Sequence, residues 1–470
     1  MRFTRRFLAP ATAIILSVGA SGAHADEAFA EAYRSLLTAG KPAEAAQLAS
    51  EALSASEGDQ QARFALGAAQ FLVAVENLGH GLYTYGMRTD YDTNFFGLGL
   101  TSLPFLRLPI PQNPNPEPAS FEAINGLLMA FTDDLAIAEA TLGKVSPEPF
   151  ELTLDIGTIG LDFDRDGEVS PRESVSSLLS ATARQIGQKP ELIVDFDQSD
   201  AVWLQGYCHL LTAMANGVSG HDWSEAFNLT FHNVFPSADL VGGPLRAAEQ
   251  ETRDRIATFL DADGNPPRWP SFPQGTPWKE RQEKTNAWRL SPEGDRYFEY
   301  SRLRQTLEGG EIADLIAFVH LFRWPVVDAE RVASVRTHLL KMVELSRENW
   351  VRIGAETDDA REWVPNINQT GVFPNMRVTQ MTRDGWTMFL DRFEAVLNGD
   401  LLIPHWRFPD QGVNVRRMFE EPQTLDPVLI MQGVAVLPYL EEGDMTGMGD
   451  VNAIFRLFDD GFFRYFIYFN

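Results

Sequence analysis

Between Leu161 and Ser174 the chain reads LDFDRDGEVSPRES, and no other stretch restricts the fold as strongly. Asp162, Asp164 and Asp166 occupy alternate positions, Gly167 follows, and Glu173 comes six residues later. Carboxylates this close repel one another, and burying them costs heavily unless a cation compensates their charge. Glycine in the middle of such a run lets the backbone turn sharply where a Cβ would obstruct it. The segment therefore has to fold as a tight acidic loop against an otherwise apolar body rich in Leu, Phe and Trp.

Counted from Asp162 as position 1, the segment resembles the EF-hand calcium loop at every liganding place. The resemblance implies that Asp162, Asp164 and Asp166 supply side-chain oxygens and that Glu168 supplies its carbonyl with its own side chain in solvent. It further implies that Ser170 ligates directly or through water, and that Glu173 closes the site with both oxygens. Ca²⁺, which takes six to eight hard oxygens at about 2.3–2.6 Å, is the expected ion, ahead of Mg²⁺. Val169 is the expected apolar anchor. Ser170 and Glu173 also read as a capping box with Pro171 at the first helical position of the segment PRESVSSLLSATARQIG.

Two departures set the expected role. The entering segment ELTLDIGTIGL has Thr153, Gly157, Thr158 and Gly160 and makes a poor helix. No second intact loop follows: the stretch from Asp195 has acids at positions 1 and 3, but no glycine at position 6 and Gly206 where glutamate belongs. Asp197 or Ser199 reads there as a helix cap, and Asp261 to Gly264 as a turn. An unpaired loop has no groove to open as a sensor does. Weak binding, about 10⁻⁴–10⁻³ M as in extracellular modules, and a structural use of the ion follow from this reading.

Apolar residues elsewhere recur at helical spacing, so the expected fold is mainly α, a multi-helical globular body with few short strands. Residues 26–102 form a helical region in which LLTAGKPAEAAQLASEALSASEGDQQARFALGAAQFL resembles a tetratricopeptide repeat, with Gly40 at the turn. The resemblance spans one and a half repeats and implies a helical hairpin docked on the body. Residues 103–119 are a proline-dense connector, expected to wrap along the surface, and 120–470 form the main helical domain containing the loop 162–173. Ser120 is the expected cap of one helix, ELTLDI and ELIVDF the expected strands, and PVLIMQGVAVLPYLEE a further helix.

Residues 1–25 read as a signal peptide: Arg2, Arg5 and Arg6, a short apolar run, and AHA before a cut after Ala25. The general secretory route fits ahead of a twin-arginine route. No stretch reaches the ~18 apolar residues of a membrane span. A periplasmic or secreted protein is the expectation. Removal of the three arginines takes the formal charge from −26 to −29, a balance unsuited to nucleic acid and suited to divalent cations or a basic protein partner. The lone Cys208 excludes an internal disulfide and lies on an apolar helical stretch, where a buried structural thiol is expected.

No G-x-S-x-G, H-E-x-x-H, phosphate loop or C-x-x-C occurs, and Ser219, His221 and Asp222 are too close in sequence to make a triad. His80, His209, His221, His232, His320, His338 and His405 show no helical metal spacing. The segments FDQSDAVWLQGYCHLL, HLFRWPVV and LSRENW are similar to ones recurring in a group of exported bacterial proteins, a resemblance that brings a class and no activity. The expected function is thus an exported calcium-binding protein with a binding or structural role. One alternative is a periplasmic hydrolase whose acidic-aromatic stretch around Trp350, Glu356, Asp358, Asp359 and Trp363 lines a cleft. The other is a tetratricopeptide-like adaptor.

Overall fold

The computed structural model describes residues 16–89, 108–177, 192–357, 359, 361–372 and 377–447. The expected N-terminal helices form as α1 (Leu16–Thr38), α2 (Pro42–Ala55) and α3 (Gln60–Thr84). The expected cut after Ala25 falls within α1, and residues 1–15 lie outside the described ones. Gly40 makes the turn between α1 and α2 with φ +66°, and Asp59 caps α3 by accepting the Ala62 N–H at 2.9 Å. In the described part of the proline-dense stretch, Leu108 and Ile110 are buried, and the Glu117 N–H donates to the Thr84 carbonyl at 2.9 Å.

Ser120 caps α4 (Phe121–Leu142) through the Ala123 N–H. The two expected strands pair antiparallel as β1 (Leu152–Asp155) and β2 (Ile193–Phe196), with Thr153 opposite Asp195. A capping box of Asp197 and Asp200 opens α5 (Gln198–Ser219), followed by α6 (Ser224–Thr230). Then come α7 (Gly243–Ala257), α8 (Trp278–Arg289), α9 (Pro292–Leu321), α10 (Ala329–Ile353) and α11 (Gln380–Asn398). The chain goes on through β3 (Ile403–His405), β4 (Phe408–Val413), α12 (Val415–Glu420), α13 (Pro427–Gln432) and β5 (Leu440–Glu441). The three last strands form one antiparallel sheet in the order β3-β4-β5.

The fold is mainly helical, with few short strands in two small sheets. α3 packs on α4, α4 on α5 and α5 on α10. One large apolar cluster runs from Tyr33 and Phe64 through Leu135, Cys208 and Phe227 to Met342 and Trp386. Small side chains such as Ala45, Ala49, Ala65 and Ala69 are fully buried there, which lets the helices approach closely. Cys208 is buried within this cluster, and burial pushes its thiol well above the ordinary range. None of the described helices is long and apolar enough to cross a membrane.

PVLIMQGVAVLPYLEE does not form one helix. Gly433 takes φ +110° and ends α13 after six residues, and Pro438 lies in a short 3₁₀ turn before β5. The polar helices α7 and α8 have no buried residues, so they leave no apolar period in the sequence.

Candidate metal centre

The acidic loop is anchored before any ion is considered. Phe163 is fully buried, and a Cβ on Gly79 of α3 would stand 2.2 Å from its ring, so the loop rests where α3 has no side chain. Val169, the expected anchor, is half-buried and fills the space beside Gly40, where a Cβ would approach its Cγ2 to 2.3 Å. The base of the loop is closed by main-chain bonds, Leu161 N–H to the Glu173 carbonyl at 2.8 Å and Val175 N–H to the Ile159 carbonyl at 3.0 Å. No helix enters the loop. A 3₁₀ turn, Ile156–Thr158, takes its place, as the glycine- and threonine-rich segment requires.

Within the loop, alternating acids hold the following backbone. Asp162 Oδ2 accepts the Gly167 N–H at 3.1 Å, Asp164 Oδ1 the Asp166 N–H at 3.2 Å, and Asp166 Oδ1 the Glu168 N–H at 2.8 Å. Gly167 has φ +87°, and Arg165 has φ 55°, the one non-glycine positive value among the described residues. Oxygens of Asp162, Asp164 and Asp166 lie within 4.8 Å of one another. Asp162 Oδ1 is buried and accepts no hydrogen bond.

Glu173 is 2% exposed; Oε1 accepts the Phe163 N–H at 3.1 Å and Oε2 the Ser170 N–H at 3.0 Å. The second bond is one half of the expected capping box. Helical backbone begins at Val175 rather than at Pro171, because Ser174 bridges to Gly160 and holds the intervening residues in turns. Glu168 is exposed, as expected, and Ser170 is half-buried. The rest of the helix expected after the loop lies outside the described residues.

Four α3 side chains meet the loop, and the linear motif indicates none of them. Glu76 Oε1 accepts the Asp162 N–H at 3.0 Å, and Asn77 Oδ1 accepts from Arg165 at 3.1 Å. The His80 Nδ1 atom lies 2.9 Å from the Phe163 carbonyl, a geometry that requires the proton on Nδ1. The fourth is Tyr83, one further turn along. Burial first, and then the charges of Asp164, Asp166 and Glu173, hold its hydroxyl above the ordinary range. Glu76, Asn77, His80 and Tyr83 follow helical spacing, so one face of α3 meets the loop.

The Glu76 carboxyl is pushed up to about 7, chiefly by burial, with Asp162 and Glu173 adding repulsion against the opposing Asp162 N–H bond and Arg165 charge. Burial also raises Asp164, again with the charges of Glu173 and Asp166. A cluster of hard oxygens in which Glu76 and Asp164 are raised and one buried oxygen of Asp162 has no partner fits a hard dication.

The other candidate residues go elsewhere. Asp195 is held by Arg361 through two bonds of 2.7 and 2.8 Å and by the Thr153 hydroxyl at 2.6 Å, and Asp197 caps α5. In the acidic-aromatic stretch, Gln369 Nε2 donates to Glu356 at 3.1 Å and to Glu362 at 3.0 Å, while Trp363 meets the Trp203 ring edge to face. Asp358 lies outside the described residues. An apolar cavity of about 270 Å³ beside Gly217, Val335 and Met418 has no carboxylate in its lining, nor has a second, lined by Trp269, Trp278 and Arg289. Two histidines far apart in sequence do meet: Nδ1 of His209 and Nδ1 of His338 are 2.8 Å apart. Neither family models nor curated proteins nor solved structures give a match to this chain.

Proposed function

We propose that this chain is an exported calcium-binding protein in which the ion acts as a structural clip between the acidic loop and α3. Asp162, Asp164, Asp166 and Glu173 supply carboxylate oxygens, the Glu168 carbonyl and Ser170 complete the set, and Glu76 adds negative charge from the helix. The observation that carries this reading is the buried, partnerless Asp162 Oδ1 beside two carboxyls, Glu76 and Asp164, that burial pushes upward. Without a cation these groups repel; with one, the same repulsion becomes attraction to the ion, and binding stabilises the folded state. An exported location suits the reading, since a weak site of this kind needs high ambient Ca²⁺.

The test is thermal and urea unfolding of the chain in chelator and in rising Ca²⁺. Calcium at 10–100 times its dissociation constant should add about 1.4–2.7 kcal/mol. Asp162→Ala and Glu173→Gln should abolish that gain. Identical unfolding curves with calcium and with chelator would sink the proposal.

A further inference from the structure

We propose that His232, Glu249 and Asp314 form a second cation site, of different chemistry, for a zinc-like first-row transition dication. His232 lies in the 3₁₀ turn Phe231–Asn233 after α6, Glu249 on α7 and Asp314 on α9. One ligand atom from each lies within 4.8 Å of the others. The three positions are distant in sequence, which is why histidine spacing gives no sign of them.

The second observation is the state of the imidazole. His232 is 1% exposed, and neither ring nitrogen has a hydrogen-bond partner. A buried polar ring without partners is costly, and proteins rarely retain one without a use. The nearest acid atom, Asp314 Oδ2, is 3.9 Å from Nε2, too far for a hydrogen bond. A tetrahedral ion holds two ligands with bonds of about 2.0–2.2 Å at about 3.3–3.6 Å from each other, so binding would draw this pair together by a few tenths of an ångström.

The surroundings orient the set. A Cβ on Gly242 would be 2.3 Å from His232 Nδ1, so that edge of the ring abuts backbone and Nε2 is the edge turned to Asp314. The Asn233 amide donates to Glu249 Oε2 at 3.2 Å, an outer contact of the kind that positions a ligating carboxylate. One imidazole nitrogen with two carboxylates suits zinc-type ions, whereas Ca²⁺ prefers oxygen alone. The site is independent of the acidic loop.

The experiment is calorimetric titration of Zn²⁺ into the chelator-stripped full chain in excess Ca²⁺, with ¹⁵N-histidine spectra recorded alongside. One Zn²⁺ per chain is expected, with a shift in a single buried imidazole's ring nitrogen. Glu249→Gln and Asp314→Asn should each weaken that binding at least ~100-fold, beyond the usual loss for an outer-shell change. Both should keep the calcium-dependent melting shift, and Asp162→Ala should keep the zinc. Absence of stoichiometric uptake by the wild-type chain, or of any imidazole shift, overturns the proposal whether or not the variants fold. Zinc retained undiminished by both acid variants, or lost in Asp162→Ala, also overturns it, by assigning the ion to the acidic surface or to the loop.

Discussion

The Glu76 carboxylate accepts the Asp162 backbone N–H at 3.0 Å, fastening α3 to the first residue of the acidic loop. Its position among Asp162 and Glu173 gives the ion-free protein a definite pH response. The carboxyl is raised from 4.5 to about 7 in the fold. Its stabilising contribution is therefore complete below about 4.5, declines as pH rises toward 7, and is gone above that. Urea unfolding in chelator should show wild type losing stability across this window. Glu76→Gln should flatten that loss and unfold at higher urea than wild type at pH 8. A variant that tracks wild type at every pH would remove Glu76 from the electrostatics of the site.

Gly79→Ala tests the seat of the loop. The new Cβ would meet the fully buried Phe163 ring at 2.2 Å, with α3 backbone on one side and the core on the other. Overpacking of this sort costs roughly 1–3 kcal/mol, and here it also displaces the loop from α3. Calcium affinity should fall together with stability. Phe163→Ala relieves the clash but leaves a cavity, at roughly 3–5 kcal/mol. Unfolding midpoints in urea, with and without calcium, check both.

The loop was legible because its chemistry is local: alternating acids, a glycine and a closing glutamate declare themselves within Asp162 to Glu173 whatever the surrounding fold. Helix caps such as Ser120 and Asp197 were legible for the same reason. Glu76, His80 and Tyr83 were not, because a half-buried polar face on an apolar helix looks like any solvated stripe until its partner is known. The same applies to His209 and His338, and to His232 with Glu249 and Asp314, which tertiary packing alone brings together. The polar helices α7 and α8 bury no apolar face, so they leave no helical period in the sequence.

Asp200 gives a second pH test, away from any proposed ion. It is fully buried, and burial first, then the charges of Asp197 and Glu356, raise its carboxyl well above the ordinary value. Its Oδ2 accepts the Asp197 N–H at 3.0 Å, a bond that an amide oxygen can also accept. With the folded value raised, its stabilising contribution is present below the unfolded value and lost as pH climbs through the folded one. Asp200→Asn should thus be close to neutral at low pH and more stable than wild type at alkaline pH. Thermal melts in saturating calcium check this; a variant that is less stable at alkaline pH would show that the charge itself is needed.

The His209–His338 contact predicts the opposite slope. At 2.8 Å between their Nδ1 atoms, one ring donates and the other accepts, so both nitrogens cannot carry protons together. Burial first, and then the neighbouring His209 charge, hold His338 below its ordinary 6.5. For a base, a lowered folded value means stability that is whole above 6.5 and lost as pH falls below it, by at most about 1.4 kcal/mol per unit for one proton. His338→Gln keeps an acceptor toward His209 and removes the titration. The stability difference between wild type and this variant cancels the contrary slope from Glu76. That difference should turn against wild type between pH 6.5 and 5. A difference that stays constant across this interval would mean that His338 does not titrate against the fold.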